Sequence, residues 1–457
     1  MAAAHDLVVV GTGGAAMAAG IAARAQGADV LLIERGVVGG TCLNIGCVPS
    51  KTLLAAAGHR ADAGRNPFPG APTAASGAVH LSALRSQKDT LIEQMRSSKY
   101  LAVAEAHGFE IRPGHAVFDS PDLLLVDGEP VPAVAYLVAT GAEPARPDLP
   151  GLDTARALTS TTAMELTVLP ESLVIIGGGY VGMEQAQLFA GLGTRVTLVG
   201  RLAPYTEPEL GDVLRAAFAA DGVTVVEQRA SRVRRTGPDV TVHTTDGQQV
   251  RAEQLLVATG RSPRSLDLLP HAAKIDLDGR GFITVDDHQR TSNPKVWAAG
   301  DVTGAPQYVY VAAATGRAAA INALGGTARV DFTALPAVTF TRPQLAGAGM
   351  SELQALAAGY DCDCRTVTAV DLPRALVNHD PYAALKIVAD ATTGQVLGVH
   401  AAMDGAGEVI AAAVYAIKAG MTVDDLADTW SPYLTMSEAL RIAAGMFRTD
   451  KPTSCCA

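Results

Sequence analysis

The chain has 457 residues, of which 48% are hydrophobic, and a formal net charge of -10. That length allows about three domains, and the acidic balance argues against nucleic acid as a partner. No apolar run is long enough for a transmembrane helix, and the N-terminus lacks the basic region of a signal peptide, so no membrane and a cytoplasmic location are expected. Six cysteines in such a chain point to redox or metal chemistry rather than a disulfide framework.

The apolar run Leu7 to Val10 leads into Gly11-Thr12-Gly13-Gly14-Ala15-Ala16. A small-residue helical stretch follows to Gln26, then Val30 to Ile33 and Glu34. This reads as strand, glycine turn, helix, strand and acid. Gly11, Gly13 and Gly14 let the backbone approach a pyrophosphate at a helix N-terminus, Ala16 takes the place of the third glycine, and Glu34 suits a ribose hydroxyl.

Cys42 and Cys47 lie in Gly39-Gly40-Thr41-Cys42-Leu43-Asn44-Ile45-Gly46-Cys47-Val48-Pro49-Ser50-Lys51. The glycines and Thr41 are expected to open one helix carrying both cysteines. A helix N-terminus and the Lys51 cation both favour a thiolate near neutral pH.

The dinucleotide pattern recurs. Leu173 to Ile176 precede Gly177-Gly178-Gly179-Tyr180-Val181-Gly182, a helix through Leu192, and the strand Val196 to Val199. Gly200 stands where Glu34 stands in the first copy, and Arg201 follows. A missing carboxylate beside a guanidinium favours a ribose 2′-phosphate, hence NADPH over NADH. Ala139-Thr140-Gly141 and Ala258-Thr259-Gly260 mark where each unit closes. The segment Val296-Trp297-Ala298-Ala299-Gly300-Asp301-Val302 reads as a buried strand ending in an acid, Asp301, suited to the ribityl chain of FAD or, more plainly, to a turn before Gly304.

The residues Gly40 to Lys51 resemble the redox signature of the class I pyridine nucleotide-disulfide oxidoreductases, and the resemblance covers essentially the whole chain. It implies an α/β fold: two Rossmann-like domains for FAD and NAD(P), plus an α+β C-terminal dimerisation domain. The implied divisions are 1–148 with 272–334 for FAD, 149–271 for NADPH, and 335–457 for the dimer interface with a flexible Cys-Cys tail. A homodimer follows. By the same resemblance, Cys47 is the thiolate beside the flavin, Cys42 the thiol that engages substrate, Lys51 and Glu184 an ion pair near the flavin, and Tyr180 a cover over it.

The chain departs from the disulfide reductases of that family at Trp430-Ser431-Pro432-Tyr433-Leu434-Thr435-Met436-Ser437-Glu438. Tyr433 stands where the family's histidine base stands, while Glu438 stays in register. A tyrosine, with a pKa near ~10, shuttles protons poorly for a thiol at neutral pH. Tyr433 can offer a phenolic oxygen to a cation or pack at an interface. The chain ends Thr453-Ser454-Cys455-Cys456-Ala457. A prenylation box needs its cysteine where Ser454 stands. Adjacent thiols strain a disulfide and can together hold one soft cation.

With Gln307 to Val311 and Phe332 to Gln344, this pattern resembles the mercuric reductase branch of the family. The resemblance implies NADPH-driven, FAD-dependent reduction of thiol-bound Hg(II) to Hg(0). Cys455 and Cys456 of one subunit, with Tyr433, would pass the ion to Cys42, Cys47 and Tyr180 of the other. With Met1 so close to the first strand, the sequence reads as a catalytic core without the N-terminal metal-binding domain, supplied with mercury by small thiols or a separate carrier. Two other readings stand beside it: a reductase of another disulfide or thiol-bound electrophile, and a flavoprotein that traps soft metals without turnover. Cys362 and Cys364 are expected on one face of a strand, outside the catalytic route.

Overall fold

The computed structural model describes residues 4–68, 70, 73 and 77–449. Strand β1 (His5–Val10) leads into helix α1 (Gly14–Arg24), which ends slightly before Gln26, and then strand β2 (Val30–Glu34). Both strands are apolar because helices and a second layer cover both faces of their sheet. That sheet runs 296–298, 133–138, β1, β2, 110–113, with every pairing parallel. Helix α1 is built largely of alanine, and its buried Ala15, Ala16 and Ala19 let helix Val309–Ala323 pack closely on it.

The second parallel sheet runs 224–226, 195–199, 172–176, 254–257. Helix Tyr180–Leu192 follows its first strand in sequence as α1 follows β1. The repeat extends to a close backbone approach. Gly11 has φ +119°, and a Cβ there would lie 2.5 Å from the Ala139 carbonyl oxygen; Gly177 has φ +115°, with the Ala258 oxygen at 2.3 Å. Each glycine turn therefore abuts the Ala-Thr-Gly segment ending a neighbouring parallel strand, and only glycine fits. Those segments also lead to each other, since Ala142–Pro144 pairs antiparallel with Arg261–Pro263.

The C-terminal sheet is antiparallel, in the order 336–339, 344–349, 396–403, 384–390, 362–368. Helices Ala406–Ala419 and Glu438–Thr449 cover one face through a core that includes Leu385, Ile387, Val399, Ile410 and Ile442. On the other face Lys386 is almost fully buried. Its ammonium lies 2.9 Å from Glu207, 3.0 Å from Glu209 and 2.6 Å from Glu352. One cation thus ties the start of helix Pro208–Ala220 and helix Glu352–Ala357 to the sheet. The two parallel sheets and the antiparallel third bear out the expected α/β class with an α+β C-terminal part. Among the described residues, no helix is long and apolar enough to cross a membrane.

Candidate active site

The two cysteines do not share one helix. Helix α2 (Gly40–Asn44) carries Cys42, the chain breaks at Ile45-Gly46, and helix α3 (Cys47–Ala63) begins at Cys47 itself. The expected single helix is corrected here: a Cβ on Gly46 would lie 2.8 Å from the Thr41 carbonyl oxygen, so the backbone folds back there. The break gives Cys47 its own helix N-terminus, where backbone N–H groups favour a thiolate.

Both are free thiols, Cys47 exposed and Cys42 partly buried. The Cys42 thiol donates to Cys47, and this bond, with help from Lys51, brings Cys47 down to about 7 against the cost of burial. The same bond, then burial, pushes Cys42 well above the ordinary thiol range. With the Cys47 pKa lowered, its thiolate fraction rises with pH through about 7 and saturates above. Alkylation of the reduced protein with iodoacetamide, followed by peptide mapping from pH 5 to 9, should show Cys47 reacting first with a midpoint near 7; Lys51→Met should move that midpoint up.

Lys51 sits one helical turn after Cys47, and Glu184 one turn after Tyr180, so each pair shares a helix face. The two helices pack together, and Lys51 Nζ meets Glu184 Oε2 at 2.7 Å. Glu184 is 7% exposed, and its other oxygen accepts the Phe340 N–H at 3.0 Å. The Phe340 ring lies 4.7 Å from the Lys51 ammonium. Cys42, Cys47, Lys51, Glu184 and Tyr180 thus gather in one place, closed by a residue of the C-terminal sheet region.

Sequence reasoning missed the aromatic wall around them. The Tyr308 and Tyr310 rings stack 5.2 Å apart. Burial, then the neighbouring Tyr180, raises Tyr308 above the ordinary phenol value. Burial, with Tyr180 and Cys47 nearby, pushes Tyr310 up to about 12. Tyr100 is likewise pushed to about 12 by burial and then by the two thiols. These tyrosines are neutral phenols at physiological pH. The signal for Tyr308 and Tyr310 was present in Gln307-Tyr308-Val309-Tyr310-Val311, without a stated role; Tyr100 carried none.

The dinucleotide residues form two cradles. Gly40 has φ +63°, and a Cβ there would lie 2.5 Å from Gly13 Cα, so the redox segment packs directly on the first glycine turn. Gly13 caps α1, leaving the first-turn N–H groups of Gly14, Ala15 and Ala16 without helical acceptors. Glu34 Oε2 accepts from Thr12 Oγ1 at 2.5 Å, and Oε1 accepts the Gly36 N–H at 2.8 Å. Thr12, another missed residue, also accepts the Gly39 N–H. Thr41 lies in α2, and Thr140 donates to the Arg264 carbonyl at 2.6 Å beside Gly141.

Asp301 follows strand Val296–Ala298, and burial raises its carboxyl pKa. Arg261, also missed, places Nε 3.9 Å from the Asp301 carboxylate; among the described residues that buried Nε has no hydrogen-bond partner. An orphaned guanidinium nitrogen beside Asp301 and a Cβ-free cradle fit a polar dinucleotide such as FAD. In the second cradle, a Cβ on Gly182 would lie 1.8 Å from the Gly177 oxygen, and one on Gly178 2.2 Å from the Arg201 oxygen. Gly179 caps helix Tyr180–Leu192, exposed Arg201 follows Gly200 at the rim, and Gly260 closes the turn with φ +122°. This arrangement fits a nicotinamide dinucleotide.

Tyr433 is 56% exposed and precedes Leu434, which has φ +58°. Glu438 is buried and accepts the Leu434 N–H at 2.9 Å. Glu438 therefore fixes the turn that displays Tyr433. Cys455 and Cys456 lie outside the described residues. Among the described residues, no group of three or more His, Cys, Asp or Glu side chains is placed to hold a metal ion.

Residues 5–316 match the family described as pyridine nucleotide-disulphide oxidoreductase, and residues 335–444 its dimerisation domain. The chain belongs to the pyridine nucleotide-disulphide oxidoreductases. It is 50% identical to a mercuric reductase of Streptomyces lividans, over 99% of this chain and 98% of that one. A mercuric reductase of Bacillus cereus is 44% identical over 99% of this chain and 73% of its own length. Among solved structures of flavoprotein disulfide reductases, RclA from Escherichia coli, as its Cu(II) complex, superposes with a TM-score of 0.86 at 28% identity, covering 97% of this chain and 99% of that one. LpdA from Mycobacterium tuberculosis matches with the same score, identity and coverage. Membership makes the chain an oxidoreductase that uses FAD and NAD(P)H and carries a dimerisation domain.

Proposed function

We propose that this oxidoreductase reduces thiol-bound Hg(II) to Hg(0) with NADPH, as a cytoplasmic homodimer serving mercury detoxification. One observation carries the reading: Tyr433 stands where the family's disulfide reductases keep their histidine base, while the dithiol keeps a Cys47 thiolate favoured by Cys42 and Lys51. A disulfide substrate needs a proton delivered to its leaving thiolate. A metal ion held by two thiolates needs electrons and exchange of ligands instead. The named mercuric reductases among its relatives support the same conclusion.

On this reading residues 1–148 and 272–334 hold FAD, 149–271 hold NADPH, and 335–457 form the dimer interface. Bound flavin supplies two-electron transfer from nicotinamide to the dithiol side of the site. Gly11, Gly13, Gly14, Ala16, Glu34, Gly40, Thr41, Thr140, Gly141 and Asp301 seat it. Gly177, Gly179, Gly182, Arg201 and Gly260 seat NADPH. Lys51, held by Glu184, keeps positive charge beside Cys47, and Tyr180 covers the nicotinamide side.

Hg(II) arrives as a complex of two small thiolates, exchanges onto Cys455 and Cys456 of the partner subunit, and passes to Cys42 and Cys47, with the phenols of Tyr180 and Tyr433 beside it. Two electrons from NADPH release Hg(0). Overall, the bis-thiolate complex, NADPH and one proton give Hg(0), NADP⁺ and two thiols. At least two sulfurs hold the ion at each transfer.

The test is to offer Hg(II) in excess glutathione, oxidised glutathione and lipoamide to the FAD-loaded protein while following NADPH. Turnover with Hg(II) alone is expected; turnover with a disulfide alone points instead to a reductase of disulfides. Arg201→Ala should raise KM for NADPH about ten- to a hundredfold, the worth of a hydrogen bond to a charged group, and leave KM for NADH nearly unchanged. Equal effects on both would remove the 2′-phosphate assignment.

A further inference from the structure

We propose that Cys362 and Cys364 form a second soft-metal site, binding one two-coordinate cation such as Hg(II) away from the Cys42–Cys47 pair. They are the first and third residues of strand Cys362–Thr368, the edge of the C-terminal sheet. Alternate residues of a strand share a face. In the register, Cys362 is opposite Asp390, Cys364 opposite Val388 and Thr366 opposite Lys386. Both are partly buried free thiols, and both pack with Met350 against Ala355, Val388 and Leu397. The alternating residues Arg365 and Val367 face the other way, toward Met446 and the main C-terminal core.

The spacing selects the chemistry. Same-face neighbours on a strand lie about 6.6 Å apart, twice the rise of one residue. A disulfide needs Cβ atoms about 3.5–4.5 Å apart, and the ladder pairs every residue from Cys362 to Thr368 with the next strand. The two thiols therefore cannot join to each other without breaking the strand. Two metal–thiolate bonds of about 2.3 Å laid end to end span about 4.6 Å, a gap that two sulfurs leaning together can match. Soft cations prefer thiolate and thioether donors, and Met350 adds a thioether to the same cluster. Among the described residues, no group of three or more His, Cys, Asp or Glu side chains stands there to hold an ion that requires a larger ligand set.

Loading is a ligand exchange without electron transfer. Two carrier thiolates leave the metal and take up the protons of Cys362 and Cys364, and two new metal–sulfur bonds replace the old ones. The site requires no flavin or nicotinamide, so it stands or falls independently of the proposed reductase activity.

The test uses FAD-loaded protein with Cys42→Ser, Cys47→Ser, Cys455→Ala and Cys456→Ala, which keeps only Cys362 and Cys364 of its six cysteines. Hg(II) is added in a large excess of glutathione and bound metal is counted by native mass spectrometry. One Hg(II) per chain is expected. Adding Cys364→Ser should weaken binding about 10²- to 10⁴-fold, the gain two linked donors hold over one. No retained Hg(II), or retention indifferent to Cys364→Ser, overturns the proposal.

If the fourfold variant fails to fold, the otherwise unaltered protein is compared with Cys362→Ser/Cys364→Ser. One fewer Hg(II) per chain with NADPH turnover intact is the expected result. Equal stoichiometry overturns the site, and loss of turnover overturns its separation from the redox pair.

Discussion

Cys47→Ser should lower NADPH-driven Hg(II) turnover by on the order of 10³-fold or more, the scale seen when a group acting in the chemical step is removed. Flavin content should not change. Cys47 opens α3, receives the Cys42 thiol hydrogen bond and lies one turn from Lys51, so its thiolate is the populated one near neutral pH. A serine hydroxyl, with a far higher pKa and a hard oxygen, replaces neither the charge nor the soft donor. Cys42→Ser should be similarly inactive for a different reason. Its own thiol is pushed up, so it acts by donating to Cys47, and on the proposed function it also takes the ion. Loss of Cys42 should therefore raise the Cys47 alkylation midpoint, which Cys47→Ser cannot do. Steady-state kinetics with flavin absorbance checks both. Near-normal turnover in either variant would remove the dithiol from the mechanism.

The largest stability effect should come from Lys386→Met, about 3 kcal/mol of destabilisation, since removing one partner of a buried ion pair leaves the other uncompensated. Lys386 and Glu207 are both almost fully buried, whereas Glu209 and Glu352 reach solvent and contribute little. Burial alone would pull the Lys386 ammonium down, but the hydrogen bonds it donates to Glu352, Glu207 and Glu209 raise it above its ordinary value, so it stays charged throughout the physiological range. Lys386→Met/Glu207→Gln should recover much of the loss, because it removes the stranded carboxylate together with its partner. Urea denaturation of the FAD-loaded protein measures both. A Lys386→Met midpoint equal to that of the parent would show that the cluster is not holding helix Pro208–Ala220 to the C-terminal sheet.

What the sequence revealed was local. Gly11 and Gly177 precede helices at the same point of two repeated units because each must approach a carbonyl too closely for any Cβ. The Cys42 to Lys51 segment is legible because the residues that tune Cys47 are neighbours in the chain. The missed residues depend on packing between distant segments. Phe340 reaches Lys51 and Glu184 from the C-terminal sheet region, Arg261 reaches Asp301 across the cofactor closure, and Lys386 collects carboxylates from two other helices. No periodicity or spacing announces such meetings. The helix break at Gly46 escaped notice for a subtler reason: glycine can open a helix or interrupt one, and only the approach to Thr41 decides between them.

The most direct test of the central claim is the ratio of Hg(0) evolved to NADPH consumed by the FAD-loaded protein, with Hg(II) supplied in excess glutathione. The account predicts one mercury atom per NADPH, with evolution lost in Cys42→Ser. NADPH consumption without volatile mercury, or mercury evolution that survives Cys42→Ser, would contradict it.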